Sequence, residues 1–281
     1  MGGVFRIMKI DQKTALFGVM GSPIGHSLSP IMHNAAFRAE KINAVYLAFD
    51  STDVEGCLAG MRALGMMGMS VTIPHKSTVL LLIDEVDRLA EKIGAVNTIV
   101  NRGGRLIGYN TDALGALNAL NEHTDLTGKG CFIIGAGGAA RAIGFILKER
   151  GVKISIANRS AERGEALAGA LDCPFFLLDQ LSEMTADIVI QTTPVGMFPK
   201  TDQCPLPENF LKGGMVVMDI IYNPQKTKLL SLADKKGCLT INGLGMFIHQ
   251  GAEQFRLWTG RKPPLAVMTE AVRESLSDHA S

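Results

Sequence analysis

The chain has 281 residues, 47% of them hydrophobic and 20% charged, the composition of a globular protein long enough for two hydrophobic cores. Its formal net charge of +1, with no basic stripe and no arginine cluster interleaved with aromatics, removes the usual electrostatic basis for binding nucleic acid and favours a small-molecule partner. No apolar run approaches the length of a membrane span, and Met1–Gln12 lacks the basic, apolar and small-residue regions of a signal peptide, so a cytoplasmic protein with no membrane partner is expected.

In chain order, strand-like and helix-like runs alternate. Strands are expected at Leu16–Met20, Val45–Phe49 and Met67–Val71, helices at Pro30–Ala39 and Val54–Leu64, and a helical stretch continuing through Leu89. This alternation predicts parallel sheets. Thr98–Tyr109, with Gly103-Gly104 between two short β-prone runs, reads as a hairpin or strand pair closing the first unit. A helix beginning near Asp112 joins it to a second. Then come a strand ending at Ile134, a glycine turn, a helix to about Lys148, a stop at Gly151, a strand at Lys153–Ala157 and a helix opening at Ser160. Strands follow at Ile188–Gln191 and Val216–Ile220. Met246–Trp258 and Pro264–Ser277 are helical in pattern and are expected to fold back on the first domain. Met66, Met67 and Met69 read as adaptable core filling. The five cysteines are scattered singly with no Cys-x-x-Cys pair, and no histidine spacing suits a metal, so neither a disulfide frame nor a metal site is expected. Cys131 should be core.

Gly130–Arg141 sets an apolar strand directly before Gly135-Ala-Gly-Gly-Ala-Ala-Arg141 and a helix. Gly135 permits a tight turn, Gly137 lets the backbone approach a pyrophosphate, and Ala140 lets helix and strand pack closely. Amides at the helix start then face the phosphates. About twenty residues on, where an NAD site carries an acid for the ribose hydroxyls, the chain reads Asn158-Arg159-Ser160, with Arg163 one turn later. Arginines there pair with a 2′-phosphate, which favours NADP(H) over NAD. The expected fold is α/β with two domains. An N-terminal substrate-binding domain, 1–111 completed by helices 246–281, faces a Rossmann-type nucleotide-binding domain, 112–245, across a cleft.

Three clusters precede the glycine turn. Ser27-Leu28-Ser29-Pro30 sets two hydroxyls at a helix start suited to a carboxylate, whereas capping by Ser29 accounts for only one of them. Thr72-Ile73-Pro74-His75-Lys76 ends a strand and starts a helix, placing a lysine where structure alone prefers an acid, and a lysine held there can deliver a proton to a carbonyl. Asn110-Thr111-Asp112 offers three capping residues where a helix needs one, and Asp112 falls at the junction of the two domains.

Gly21-Ser-Pro-Ile-Gly-His-Ser-Leu-Ser-Pro30, Val71–Lys76, Gly94-Ala-Val-Asn97-Thr98, Asn110–Asp112 and Gly135–Arg141 together resemble the shikimate dehydrogenase family, over nearly the entire chain. Thr192-Thr-Pro-Val-Gly-Met197, Asp219-Ile-Ile-Tyr222-Asn-Pro224 and Asn242-Gly-Leu-Gly-Met246 through Gln250 continue the resemblance in order, although Asn242 departs from the aspartate often found before that glycine. The resemblance implies reversible NADPH-dependent reduction of 3-dehydroshikimate to shikimate, on the route to chorismate and the aromatic amino acids. It implies Lys76 and Asp112 as the catalytic pair, and Ser27, Ser29 and Tyr222 around the ring carboxylate. Thr72, Asn97, Asp112 and Gln250 would contact ring hydroxyls. Gly135, Ala136, Gly137, Gly138 and Ala139 would take the pyrophosphate, Asn158, Arg159, Ser160 and Arg163 the adenosine ribose phosphate, and Ile220 and Gly243 the nicotinamide end. A monomer or homodimer is expected. The competing readings are a quinate/shikimate dehydrogenase with relaxed cofactor use and a catalytically silent sensor of NADP and a metabolite.

Overall fold

The computed structural model describes residues 10–183 and 186–278. The chain forms two compact units. Unit 1 holds the described residues up to Thr111 and those from Gly251 onward, and unit 2 is Asp112–Gln250. The sequence places the return to the first unit at Met246. Five more residues stay with unit 2 because Met246 and Gln250 pack closely onto Gly115.

Unit 1 begins with β1 (Ala15–Gly21), α1 (Ser29–Ala39), β2 (Ala44–Asp50), α2 (Val54–Ala63) and β3 (Gly68–Val71). It continues through α3 (Lys76–Leu80), β4 (Glu85–Val86), α4 (Arg88–Ile93), β5 (Thr98–Arg102) and β6 (Arg105–Tyr109). The sheet runs β2-β1-β3-β5-β6-β4. It is mixed rather than wholly parallel: β1 pairs parallel with β2 and β3, but β5 is antiparallel to both β3 and β6. The tight hairpin at Gly103 and Gly104, both with positive φ, dictates the β5–β6 pair, since it leaves no room for the crossover a parallel pair needs. The helical stretch expected through Leu89 is also broken. Asp84 accepts bonds from Leu106 N and Arg62, Glu85–Val86 pairs with β6, and Asp87 caps a new helix by accepting from Leu89 N at 3.0 Å. Met66 and Met69 join Met20, Leu58, Met61, Ile99 and Leu106 in the core, while Met67 is exposed.

Unit 2 contains α5 (Thr111–Asn121), which enters it from unit 1, then β7 (Gly130–Ile134), α6 (Gly138–Glu149), β8 (Lys153–Asn158), α7 (Ala161–Leu171) and β9 (Phe175–Leu177). After these come β10 (Ile188–Gln191), β11 (Val216–Asp219), α8 (Lys228–Lys235) and β12 (Leu239–Ile241). All six strands are parallel, in the order β9-β8-β7-β10-β11-β12. That is the doubly wound nucleotide-binding order, with its reversal between β7 and β10. The strands are apolar on both faces, as helices on both sides require. Strands β9 and β12, three residues each, are too short to show a period, and pairing with β8 and β11 defines them. Phe132, Ile134, Val189, Phe210, Val217 and Leu229 form the core. Cys131 is buried, and all five cysteines are free.

The chain ends with α9 (Gly243–Thr259) and α10 (Leu265–Asp278). The C-terminal part of α9 and α10 belong to unit 1, where α10 packs along α1 and Trp258 Nε1 donates to Ile99 O at 3.0 Å. No described helix is long and apolar enough to cross a membrane.

Candidate active site

In unit 1 the strand pattern delivers the polar residues to one sheet edge. Met20 of β1 lies opposite Val71 of β3, so both parallel strands release their chains on the same side. Because Thr98 of β5 lies opposite Ser70 and also Tyr109, Asn97 and Asn110 emerge there too. Ser27 and Ser29 follow β1, Thr72 and Lys76 follow β3, Asn97 precedes β5, and Thr111 follows β6. Backbone bonds stitch the edge: Thr72 N to Met20 O at 3.0 Å, Val71 N to Asn97 O at 2.8 Å, Asn97 N to Tyr109 O at 3.0 Å and Val96 N to Lys76 O at 2.8 Å. Ser29 does not cap α1. The helix starts at Ser29 itself, Leu28 offers no side-chain bond, and Ser27 Oγ accepts from Ser29 N at 3.3 Å. Lys76 opens α3 behind His75, whose buried ring is held by Ser51 O at 2.7 Å from Nε2.

In unit 2 the site-facing groups are largely backbone. Gly135 leaves β7 with a φ of 114°, and a Cβ there would stand 2.5 Å from Thr192 Oγ1, so only glycine suits the turn. Its N–H donates to Ala157 O at 2.7 Å, while Thr192 Oγ1 donates to Ile134 O at 2.6 Å. Gly137 precedes α6 in an extended conformation without a side-chain cap, and a Cβ on Gly137 or Gly138 would meet nothing within 4 Å. The start of α6, next to Ala136 and Ala139, thus has neither a side-chain cap nor bulk at its glycines, which fits a bound pyrophosphate. At the end of β8, Asn158 Nδ2 donates to Ser160 O at 3.0 Å. Ser160 precedes α7 with its hydroxyl unused as a cap. Arg159 and Arg163 are exposed, and neither has an ion-pair partner among the described residues. Two unpaired guanidinium groups and no carboxylate at the strand end fit a phosphorylated ribose.

Gly243 lies so close under Ile220 that a Cβ would overlap Ile220 O. The loop they share is tied by Gly243 N to Ile221 O at 3.1 Å and by Asp219, whose two oxygens accept from Ile221 N at 3.1 Å and Thr227 Oγ1 at 2.8 Å. Burial pushes the Asp219 carboxyl up to about 6 against those bonds. Asn242 accepts from Leu244 N at 3.2 Å and donates to Gln225 O at 3.3 Å, and an aspartate could make only the first of these bonds. Tyr222 stacks on Phe247 with centroids 5.1 Å apart, burial raises its phenol, and its hydroxyl has no partner among the described residues. Gln250 Nε2 donates to Phe247 O at 3.0 Å, and Asp112 sits half-buried in the first turn of α5.

Some residues that brace the candidate site were given no role by the sequence, although Asp219 opens one of the resembling motifs. Asp219 and the fully buried Gln191, whose amide bonds Thr193 and Val195 and shapes the loop next to the glycine turn, look like ordinary strand ends. Gln254, one helical turn beyond Gln250, had the i, i+4 spacing as its only cue. Among the described residues no cluster of His, Cys, Asp or Glu could hold a metal.

A doubly wound sheet with an open glycine turn, accompanied by a unit that gathers hydroxyl, amide and ammonium groups on one sheet edge, defines a two-unit nucleotide-dependent dehydrogenase. Family models match in succession: the shikimate dehydrogenase substrate binding domain over residues 19–99, shikimate/quinate 5-dehydrogenase over 118–197, and the shikimate 5′-dehydrogenase C-terminal domain over 243–273. The chain is 45% identical to the shikimate dehydrogenase (NADP(+)) of Moorella thermoacetica, across 96% of each protein. It is similar to a crystal structure of a shikimate dehydrogenase in complex with NADP+, with a TM-score of 0.92, 44% identity and coverage of 95% of this chain and 97% of that one. The Thermus thermophilus shikimate 5-dehydrogenase in complex with NADP(H) and shikimate gives a TM-score of 0.88 at 36% identity, covering 93% and 99%. The chain belongs to the shikimate dehydrogenase family.

Proposed function

We propose that the protein catalyses the reversible NADPH-dependent reduction of 3-dehydroshikimate to shikimate. The observation that carries this reading is the gathering of Ser27, Ser29, Thr72, Lys76 and Asn97 on one sheet edge of unit 1, in a chain 45% identical over 96% of its length to a shikimate dehydrogenase. NADPH supplies the hydride when bound. Gly135, Ala136, Gly137, Gly138 and Ala139 present α6 amides to its pyrophosphate, Asn158, Arg159, Ser160 and Arg163 hold the ribose phosphate, and Ile220 and Gly243 border the nicotinamide. Ser27, Ser29 and Tyr222 donate to the ring carboxylate, and Thr72, Asn97, Asp112 and Gln250 bond the ring hydroxyls. Lys76 donates a proton to the oxygen that becomes the C3 hydroxyl, and Asp112 orients that hydroxyl by accepting its hydrogen bond. The free thiols suit a reducing cytoplasm, and the enzyme works as a monomer or homodimer.

The test is oxidation of shikimate and of quinate, each with NADP and with NAD, followed at the nicotinamide absorbance band. Shikimate with NADP is expected to be fastest. A faster rate for quinate with NAD replaces this reading by a quinate dehydrogenase, and shikimate binding by calorimetry without any absorbance change replaces it by a silent sensor.

A further inference from the structure

A string of buried polar side chains crosses unit 1, and the proposed reaction assigns most of them no part. His33 of α1, Tyr46 of β2, Ser70 of β3, Thr98 of β5 and Gln254 of α9 are each at most 5% exposed. The Tyr46 hydroxyl donates to Ser70 Oγ at 2.6 Å, and Ser70 Oγ donates to Gln254 Oε1 at 3.0 Å. His33 Nε2 lies 3.2 Å from the same oxygen. At the other end of that amide, Gln254 Nε2 donates to Thr98 Oγ1 at 3.0 Å, and Thr98 Oγ1 donates to Asn97 Oδ1 at 2.8 Å. Thr111 N donates to the same Asn97 oxygen at 2.7 Å.

A hydroxyl has one hydrogen, and an amide side chain has one accepting and one donating end, so each bond dictates the next. Gln254 Oε1 already receives the Ser70 hydrogen, which makes His33 Nε2 the ring's donor and leaves Nδ1 bare. Nδ1 is indeed the buried side-chain nitrogen without a partner among the described residues. The donating end of Gln254 occupies one lone pair of Thr98 Oγ1, whose hydrogen meets Asn97 Oδ1 at 2.8 Å, closer than Thr111 Oγ1 at 3.2 Å. With Oδ1 taken by Thr98 and Thr111, the Asn97 amide cannot turn over. Its Nδ2 spends one hydrogen on Thr111 Oγ1 at 3.0 Å, and the other has no partner among the described residues.

We propose that Gln254 is a positioning residue which, through Thr98, sets a second donor on Asn97 Oδ1 beside the Thr111 N–H, steadies the Asn97 amide as a hydrogen-bond donor, and so makes the site select a substrate oxygen able to accept at that place. The inference rests on the reading of Asn97 as a ring-hydroxyl contact. Two neutral hydrogen bonds separate Gln254 from Asn97, so it acts on ground-state binding of the ring rather than on hydride transfer.

Steady-state oxidation of shikimate by the full-length protein tests this. Gln254→Met, which keeps the length of the side chain, is expected to raise the KM for shikimate about fivefold, with kcat and the KM for NADP within about twofold. Thr98→Val, which deletes only the linking hydroxyl, gives the same selective shift and decides the matter if Gln254→Met does not fold. In an Asn97→Ala background the Gln254→Met effect on KM shrinks below about twofold, because the group it positions is gone, whereas a purely structural effect persists. Equal shifts in both backgrounds, an unchanged KM in the single variants, or an Asn97→Ala variant with unaltered KM overturns the inference while the wild-type rate with shikimate still supports the dehydrogenase. A wild type that does not oxidise shikimate overturns both.

Discussion

The two units solve the problem of presenting polar groups in opposite ways. Unit 2 offers uncapped main-chain N–H groups at the start of α6, and its interior strands are largely apolar. Unit 1 gathers polar side chains at one sheet edge and supports them by a second layer of buried hydroxyls, amides and an imidazole reaching from α1 to α9. Backbone groups are placed by strand register and need only room, which small residues leave. Side-chain groups must also be aimed, and aiming requires fully satisfied partners, since a buried polar atom left unbonded costs about 1–3 kcal/mol. Unit 2 should therefore be sensitive to added bulk and charge, and unit 1 to single lost hydrogen bonds.

The largest effect should come from the side-chain chemistry of unit 1. Lys76→Ala is expected to reduce turnover by about 10²- to 10³-fold while shifting the KM for shikimate by less than about threefold, because in the proposed reaction the ammonium acts mainly in the transition state. Near-normal turnover in that variant removes Lys76 from its role. In unit 2 the corresponding side-chain contribution is confined to the exposed end of β8. Arg159→Ala should weaken NADP+ binding by about tenfold to a hundredfold and leave NAD+ within about twofold, read by nucleotide titration. Equal weakening of both nucleotides means that the arginine does not read the ribose phosphate.

The same contrast explains how much of the molecule was legible in its sequence. The order of unit 2 and its glycine turn were visible because strand–turn–helix geometry imposes residue types at fixed local spacing, as at Gly135, Gly137 and Ala140. The mixed sheet of unit 1 was not, since nothing local tells β5 to run against β3, and only the hairpin at Gly103-Gly104 hinted at it. Proposed site residues that a family resemblance could place, such as Asn97 and Lys76, were nameable, but the bonds that orient them were not. His33 and Gln254 are 221 positions apart, and no periodicity links an apolar-face histidine to a helix glutamine that distant in the chain. Asp219 ends an apolar strand, and its role becomes visible only once Thr227 and Ile221 fold back on it.

Acid should separate the two units, because burial shifts His33 of unit 1 and Asp219 of unit 2 in opposite directions within the acid range. Burial holds the His33 imidazole down at about 4, with the Gln254 bond opposing only part of the shift. Between pH 6.5 and 4 the unfolded chain binds this proton and the folded chain does not, so unit 1 loses stability as pH falls, by up to about 1.4 kcal/mol per pH unit. Asp219 behaves in reverse. Its folded value of about 6 lies above the ordinary 3.8, so the folded chain binds the proton first and unit 2 gains stability as pH falls through the same range. Calorimetry at pH 7 and pH 5 should show the unfolding of unit 1 moving to lower temperature relative to unit 2, and His33→Phe should remove that acid-dependent loss. A slope unchanged by His33→Phe assigns the acid sensitivity elsewhere.

The smallest effect isolates the other half of this opposition. Asp219→Asn keeps an acceptor for Ile221 N and offers its amide to Thr227, but carries no charge to bury. It should therefore raise the urea-unfolding free energy at pH 8 by about 1 kcal/mol, and that gain should vanish at pH 4, where the wild-type carboxyl is itself protonated. All other carboxylates are common to both proteins, so the difference between the two pH values belongs to this position. A loss of stability at pH 8 would mean that the anion's bonds to Ile221 and Thr227 outweigh its desolvation, and that unit 2, like unit 1, depends on an aimed side chain.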